Sequence, residues 1–167
     1  FGFKARGLPS QEVRIGVGIN SGPACVGNMG STRRFNYSAI GDAVNIAARI
    51  ESSCKSIGAA CLVSEDTMRA APEFAYLEAG AIPLKGKSAP VKLHALIGLP
   101  AYAESDAFKE LSGAHARLIA AIEADDAAEA RTYLAECRRI APQDLSDFYD
   151  RLAERIAALP RMQTVGG

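Results

Sequence analysis

Apolar and polar positions alternate through residues 13–19 (VRIGVGI), with β-branched side chains at the apolar ones, which predicts a buried strand. Asn20-Ser21-Gly22-Pro23 predicts a turn, and residues 24–29 (ACVGNM) a second strand closed by Gly30-Ser31. A short connection containing Gly and Pro between two strands predicts an antiparallel hairpin. Residues 35–40 (FNYSAI) predict a third strand, after the basic pair Arg33-Arg34. Gly41-Asp42 then opens a helix in which Val44, Ala47, Ala48 and Ile50 recur at helical spacing to about residue 56, with Gly58 suited to its C-terminal stop.

Residues 60–63 (ACLV) predict a strand, and Ser64 a cap on a short helix with Glu65 and Asp66 in its first turn. Residues 74–84 and 91–97 predict two strands around the basic turn Lys85-Gly86-Lys87-Ser88. Strands and helices mixed in this order predict an α+β fold, a sheet with helices against one face. After Pro100 the pattern becomes alanine-rich and helical. One apolar stripe runs through Leu111, His115, Leu118, Ile119 and Ile122, and a second through Ala130, Leu134 and Cys137. A third takes Leu145, Phe148, Tyr149, Leu152, Ile156 and Leu159, with Pro142 breaking the chain before it. Three amphipathic helices account for the segment, and no fixed repeat period supports a helical-repeat array. The chain is thus divided into residues 1–99 and a helical tail, 100–167.

The 167 residues, 49% of them hydrophobic, suffice for one domain with an appendage. Nineteen basic and nineteen acidic side chains balance, so no strong field recruits nucleic acid or an anionic membrane. Residues 1–100 carry 11 basic and 7 acidic groups and the remainder 8 and 12, which suits an anionic small ligand in the first part. Cys25, Cys54, Cys61 and Cys137 form no CxxC pair and no zinc framework, so free thiols in a reducing, cytoplasmic compartment are expected. No apolar run is long enough to cross a bilayer and no signal peptide is seen. The start at Phe1-Gly2-Phe3-Lys4 is that expected of a piece of a longer protein, whose upstream part would hold a sensor or membrane region.

Candidate chemistry concentrates in residues 16–51. Asn45 and Arg49 lie four apart on the predicted helix and so project from one face. A guanidinium offers a rigid fork of donors to phosphate oxygens, and a neighbouring amide can meet a sugar oxygen. Alone, the pair reads more readily as a solvated Arg matched with Glu51 or another acid, beside an exposed Asn. Asp42 is read as a first-turn carboxylate complementing the helix dipole, not as a metal ligand. His94 and His115 are read as structural.

The stretch resembles the class III adenylyl and guanylyl cyclases in a series of motifs in order. These are Gly18-Ile19-Asn20-Ser21-Gly22, Gly27-Asn28-Met29-Gly30-Ser31, Arg34-Phe35-Asn36-Tyr37, and Gly41-Asp42-Ala43-Val44-Asn45-Ile46-Ala47-Ala48-Arg49. The resemblance covers about residues 10–98 and implies the C-terminal half of a ferredoxin-like cyclase catalytic domain. It implies that Asn45 orients the ribose, that Arg49 stabilises charge on the transferring phosphoryl group, and that Lys85 approaches the terminal phosphates. It places the purine-selecting position at Ser38, as in the class IIIb subgroup, whose members often respond to bicarbonate or carbon dioxide. A hydroxyl there both accepts and donates, so it discriminates adenine less sharply than a carboxylate.

The same resemblance implies a substrate, ATP, a cofactor of two Mg2+ or Mn2+ ions, and a site shared between two subunits of a homodimer. The two aspartates expected to hold the ions belong to the half upstream of this chain; residues 1–15 contain one acid, Glu12. No metal ligand is therefore expected here, and the segment alone is expected to be inactive. Two other readings stay open: a guanylyl cyclase, and a non-catalytic nucleotide-binding or dimerisation module.

Overall fold

Helix α1, Asp42–Ile57, shows how local sequence and packing combine. Asp42 stands in its first turn, and Gly58 ends it in the left-handed conformation, its N–H bonded to the Cys54 carbonyl. The buried stripe is Ile46, Ile50 and Cys54. Of the predicted stripe Val44, Ala47, Ala48 and Ile50, only Ile50 belongs to this row, because the helix is rolled to place one narrow row on the sheet. The computed structural model describes residues 14–31, 34–83 and 89–159.

Strands β1 (Val17–Ile19), β4 (Cys61–Ser64), β6 (Val91–Gly98) and β5 (Ala75–Ile82) form a mixed sheet in the order β1-β4-β6-β5. β1 pairs parallel with β4, while β6 is antiparallel to both β4 and β5. β2 (Cys25–Ser31) and β3 (Arg34–Ile40) form a separate two-stranded ribbon with seven paired positions.

The antiparallel hairpin expected between residues 13–19 and 24–29 is therefore corrected. β2 spends its hydrogen bonds on β3, and β1 joins β4 through the crossover that α1 supplies, as a parallel pair requires. The strand expected to be buried over 13–19 is a three-residue strand with Val17 and Ile19 exposed; residue 13 lies outside the described residues. The remaining strands fall within one or two residues of their expected positions. The basic turn Lys85–Ser88 and Arg33 lie outside the described residues.

Short helix α2, Glu65–Ala70, follows β4 directly, and Ser64 caps it by accepting from the Thr67 N–H at 3.3 Å, as its sequence predicted. The tail comprises α3 (Pro100–Ala103), α4 (Asp106–Glu123), α5 (Ala127–Ile140), a 3-10 turn (Gln143–Leu145) and α6 (Ser146–Ala157). Ser105 and Asp126 cap α4 and α5 with their side-chain oxygens. All three expected stripes are buried, with Leu159 partly so.

The tail does not stand apart. Leu111, Leu118, Phe148 and Ile156 join Ile50, Leu62, Leu77 and Leu93 in one continuous core. Leu62, Ala95 and Leu77 are register partners and so share a sheet face, which α1, α4 and α6 cover. The result is an α+β fold, a mixed sheet backed by helices, with a helical C-terminal region.

Candidate functional site

The site is built on the close approach of α1 to β1. A Cβ added at Gly18 would lie 2.3 Å from the Glu51 nitrogen and 2.4 Å from the Ala47 oxygen. Only glycine lets the helix backbone come this near the strand, so Gly18 of β1 specifies the seat of α1. The turn after β1 then fastens the helix start: the Asn20 side-chain amide donates to the Ala43 carbonyl at 3.1 Å. Ser21 and Ser64 each meet the Thr67 hydroxyl at 3.0 Å, tying the same loop to α2.

On this seat Asn45 and Arg49 are both exposed, one turn apart, while Ile46 and Ile50 beside them are buried. Among the described residues the Arg49 guanidinium makes no ion pair, and neither it nor the Asn45 amide makes a side-chain hydrogen bond. The pairing with Glu51 allowed by the sequence is absent; the Glu51 carboxylate instead meets the Ser52 hydroxyl at 3.5 Å. Ser38 lies partly buried on β3, opposite Gly27 of β2, and β3 leads through Gly41 into α1. The structure thus presents Asn45 and Arg49 together on one helical face and puts Ser38 on the adjoining strand. Lys85 lies outside the described residues.

Sequence reasoning treated Asn20 as turn punctuation and missed its clamp on α1. The available signal was an Asn flanked by Ile19 and Ser21 directly after an apolar strand, where an amide often satisfies a neighbouring helix terminus.

The other polar groups are structural in their contacts. The His115 ring is buried and within 2.8 Å of the Glu78 carbonyl. His94 is buried on β6, burial lowers its pKa, and its Nε2 has no hydrogen-bond partner among the described residues. All four cysteines are free thiols. Burial pushes Cys54 up, opposed by a contact to the Val17 carbonyl. Among the described residues no group of three or more His, Cys, Asp or Glu is placed to hold a metal ion.

Known proteins resemble the first part of this chain. Residues 4–98 match the family described as the adenylate and guanylate cyclase catalytic domain. The terminal-differentiation-specific adenylate cyclase of Dictyostelium discoideum is 36% identical over 95 residues, which are 54% of this chain and 4% of that protein. Adenylate cyclase 1 of Rhizobium meliloti is 33% identical over 97 residues, 58% of this chain and 14% of the relative. The adenylate cyclase of Anabaena cylindrica is 35% identical over 92 residues, 53% and 18% respectively. Among solved structures, the adenylyl cyclase CyaB from P. aeruginosa matches 48% of this chain and 40% of its own at 33% identity, with a TM-score of 0.42. The chain spans less than a fifth of these curated relatives. More than half of the chain matches one family: the chain belongs to the adenylate and guanylate cyclase catalytic domain family.

Proposed function

We propose that this chain supplies one wall of an adenylate cyclase site, which converts ATP to cyclic AMP and pyrophosphate in the protein that carries it. The observation that supports this reading most is the exposed Asn45–Arg49 pair on α1, where among the described residues no carboxylate pairs with the guanidinium. The reaction joins the ribose 3′ oxygen to the α-phosphorus, loses the hydroxyl proton and breaks the bond to the β-phosphate oxygen. Asn45 orients the ribose, and Arg49 holds the charge that builds on the α-phosphoryl oxygens. Such a preorganised donor costs no reorganisation during the reaction. Ser38 accepts from the adenine amino group, and Lys85 meets the terminal phosphates.

In this reading residues 1–99 are the C-terminal half of the catalytic domain and 100–167 its helical tail. The metal-binding half comes from a second subunit in a cytoplasmic homodimer. The exposed Ile15, Val17, Ile19, Val26, Tyr37 and Ile40 leave apolar surface for a contact with a second subunit, with Ile15 73% and Tyr37 75% exposed. Among the described residues no helix is long and apolar enough to cross a membrane.

The test is cyclic nucleotide production from manganese-ATP and manganese-GTP by a protein containing both halves of the domain. Turnover of ATP should fall on the order of 10²–10³-fold in Arg49→Ala, and the 167-residue chain alone should make no product. Preference for GTP would shift the reading to a guanylyl cyclase. ATP binding without turnover would make the chain a binding module.

A further inference from the structure

Strand β3 ends at Ile40 and α1 begins at Asp42, so one residue, Gly41, joins the strand that carries Ser38 to the helix that carries Asn45 and Arg49. Gly41 has φ +149° and ψ 167°, a backbone conformation open in practice to glycine alone. As the residue before the helix it also brings no side chain to cap the first turn. A small rotation at Gly41 would swing Asn45 and Arg49 relative to Ser38. The angle between strand and helix therefore depends on what packs against this junction.

The loop between β1 and β2, residues 20–24, packs on both sides of it. On the strand side, the Pro23 carbonyl oxygen lies 3.2 Å and the Ala24 Cα 3.4 Å from where a Cβ on Gly41 would stand. Cys25, which follows the loop, pairs with Ile40 at the end of β3. On the helix side, a Cβ on Gly22 would stand 2.9 Å from that of Ala43, and the Asn20 amide reaches the Ala43 carbonyl at 3.1 Å. A carbonyl only accepts, so the Asn20 nitrogen is the donor. Ala43 stands two residues before Asn45, within the same helical turn.

The loop also has a foot in the sheet. Thr67 of α2 holds its hydroxyl 3.0 Å from that of Ser21 and 3.0 Å from that of Ser64. Ser64 ends β4, is 1% exposed and lies opposite Leu93 of β6. A hydroxyl both donates and accepts, so Thr67 serves the two serines at once and ties an exposed loop to an interior strand.

We infer that Asn20 and Thr67 are positioning residues for the nucleotide site: the loop they hold braces the Gly41 junction and so sets Ser38 against Asn45 and Arg49. The inference rests on the adenylate cyclase reading, in which Ser38 meets the base and Asn45 the ribose of one nucleotide. A substrate that touches both sides of the junction is bound productively at one angle only, and misplacing a catalytic group by a small distance costs heavily in rate.

The experiment uses a protein containing both halves of the catalytic domain, in steady-state kinetics with manganese-ATP and manganese-GTP. Asn20→Asp keeps the shape of the side chain but has no N–H for the Ala43 carbonyl. It should lower kcat for ATP about tenfold and narrow the ratio of kcat/KM for ATP over GTP about threefold. Thr67→Val keeps its shape and loses the hydroxyl, and should move both quantities in the same direction. Thr67→Ser, which retains the hydroxyl, should restore them. A loop that served stability alone would change only the amount of folded enzyme, leaving both KM values and the ATP to GTP ratio as in wild type. That result in a folded Asn20→Asp protein would overturn the inference. Should this variant not fold, Thr67→Val decides: a narrowed ratio upholds the inference and an unchanged one refutes it. Absence of cyclic nucleotide from the wild-type protein would sink the cyclase reading and the inference with it. Wild-type turnover with an unchanged ratio in both variants would sink the inference alone.

Discussion

His115 is an ionisable ring enclosed by Phe148, Tyr149 and the β5 backbone, with Glu123 and Ser112 lining the nearby cleft. Burial pulls its pKa from 6.5 to about 4, against the opposing effect of the bond to the Glu78 carbonyl. The folded ring stays neutral, whereas the unfolded ring takes up a proton below pH 6.5. Its contribution is therefore complete above pH 6.5 and is lost as pH falls towards 4, a loss of about 3 kcal/mol. Urea denaturation at pH 7 and pH 4.5 should show this fall in wild type and a smaller one in His115→Gln, which does not titrate. The residue scale also shows where sequence reading stops. The stripe through Leu111 and Leu118 foretold that His115 would be buried. Its partners, 37 and 34 residues away, follow no local pattern.

At the scale of elements, the β1–α1 pair carries the candidate site. Gly18 sits under α1, and the atoms a methyl group would meet are backbone, which cannot turn aside as a side chain can. Gly18→Ala must lift the helix from the strand, with a stability cost of about 1–3 kcal/mol. A lower urea midpoint at unchanged slope is the expected result. α1 itself was legible in advance: a first-turn Asp42, an apolar repeat and Gly58 mark both its ends. Its rolled orientation was not: Ile50 was expected in the buried row, but Ile46 and Cys54 join it in place of Val44 and Ala47, and only the sheet beneath decides. The partner of β1 was illegible for the same reason. A short Gly/Pro link predicts a hairpin, but strand pairing is chosen among all available edges, and β2 found seven partners in β3.

At the scale of the molecule, the cyclase segment and the tail have one core. Leu77, Leu93 and Ala95 of the sheet are at most 2% exposed, and α4 and α6 stand on their side of it. Ending the chain at Leu99 would open the β5 side of that face, which α4 covers while α1 packs on β1 and β4. The shortened chain should bind a hydrophobic dye and lose its cooperative urea transition, whereas the intact one should unfold in a single step. The ion pairs Arg117–Glu136 at 2.9 Å and Arg139–Glu110 at 3.3 Å add little to this, because both are solvent-exposed.

The amino-acid sequence by itself determined the periodicities, the capped helix ends, the motif-bearing stretch around Asn45 and Arg49, and through these the family. Such features are set by residues within a turn or two of one another. Only the tertiary structure decided that β1 lies parallel to β4, that α1 turns Ile46 inward, and that the tail closes over β5. Those choices depend on surfaces brought together from distant parts of the chain, where burial of a shared apolar face outweighs any local preference.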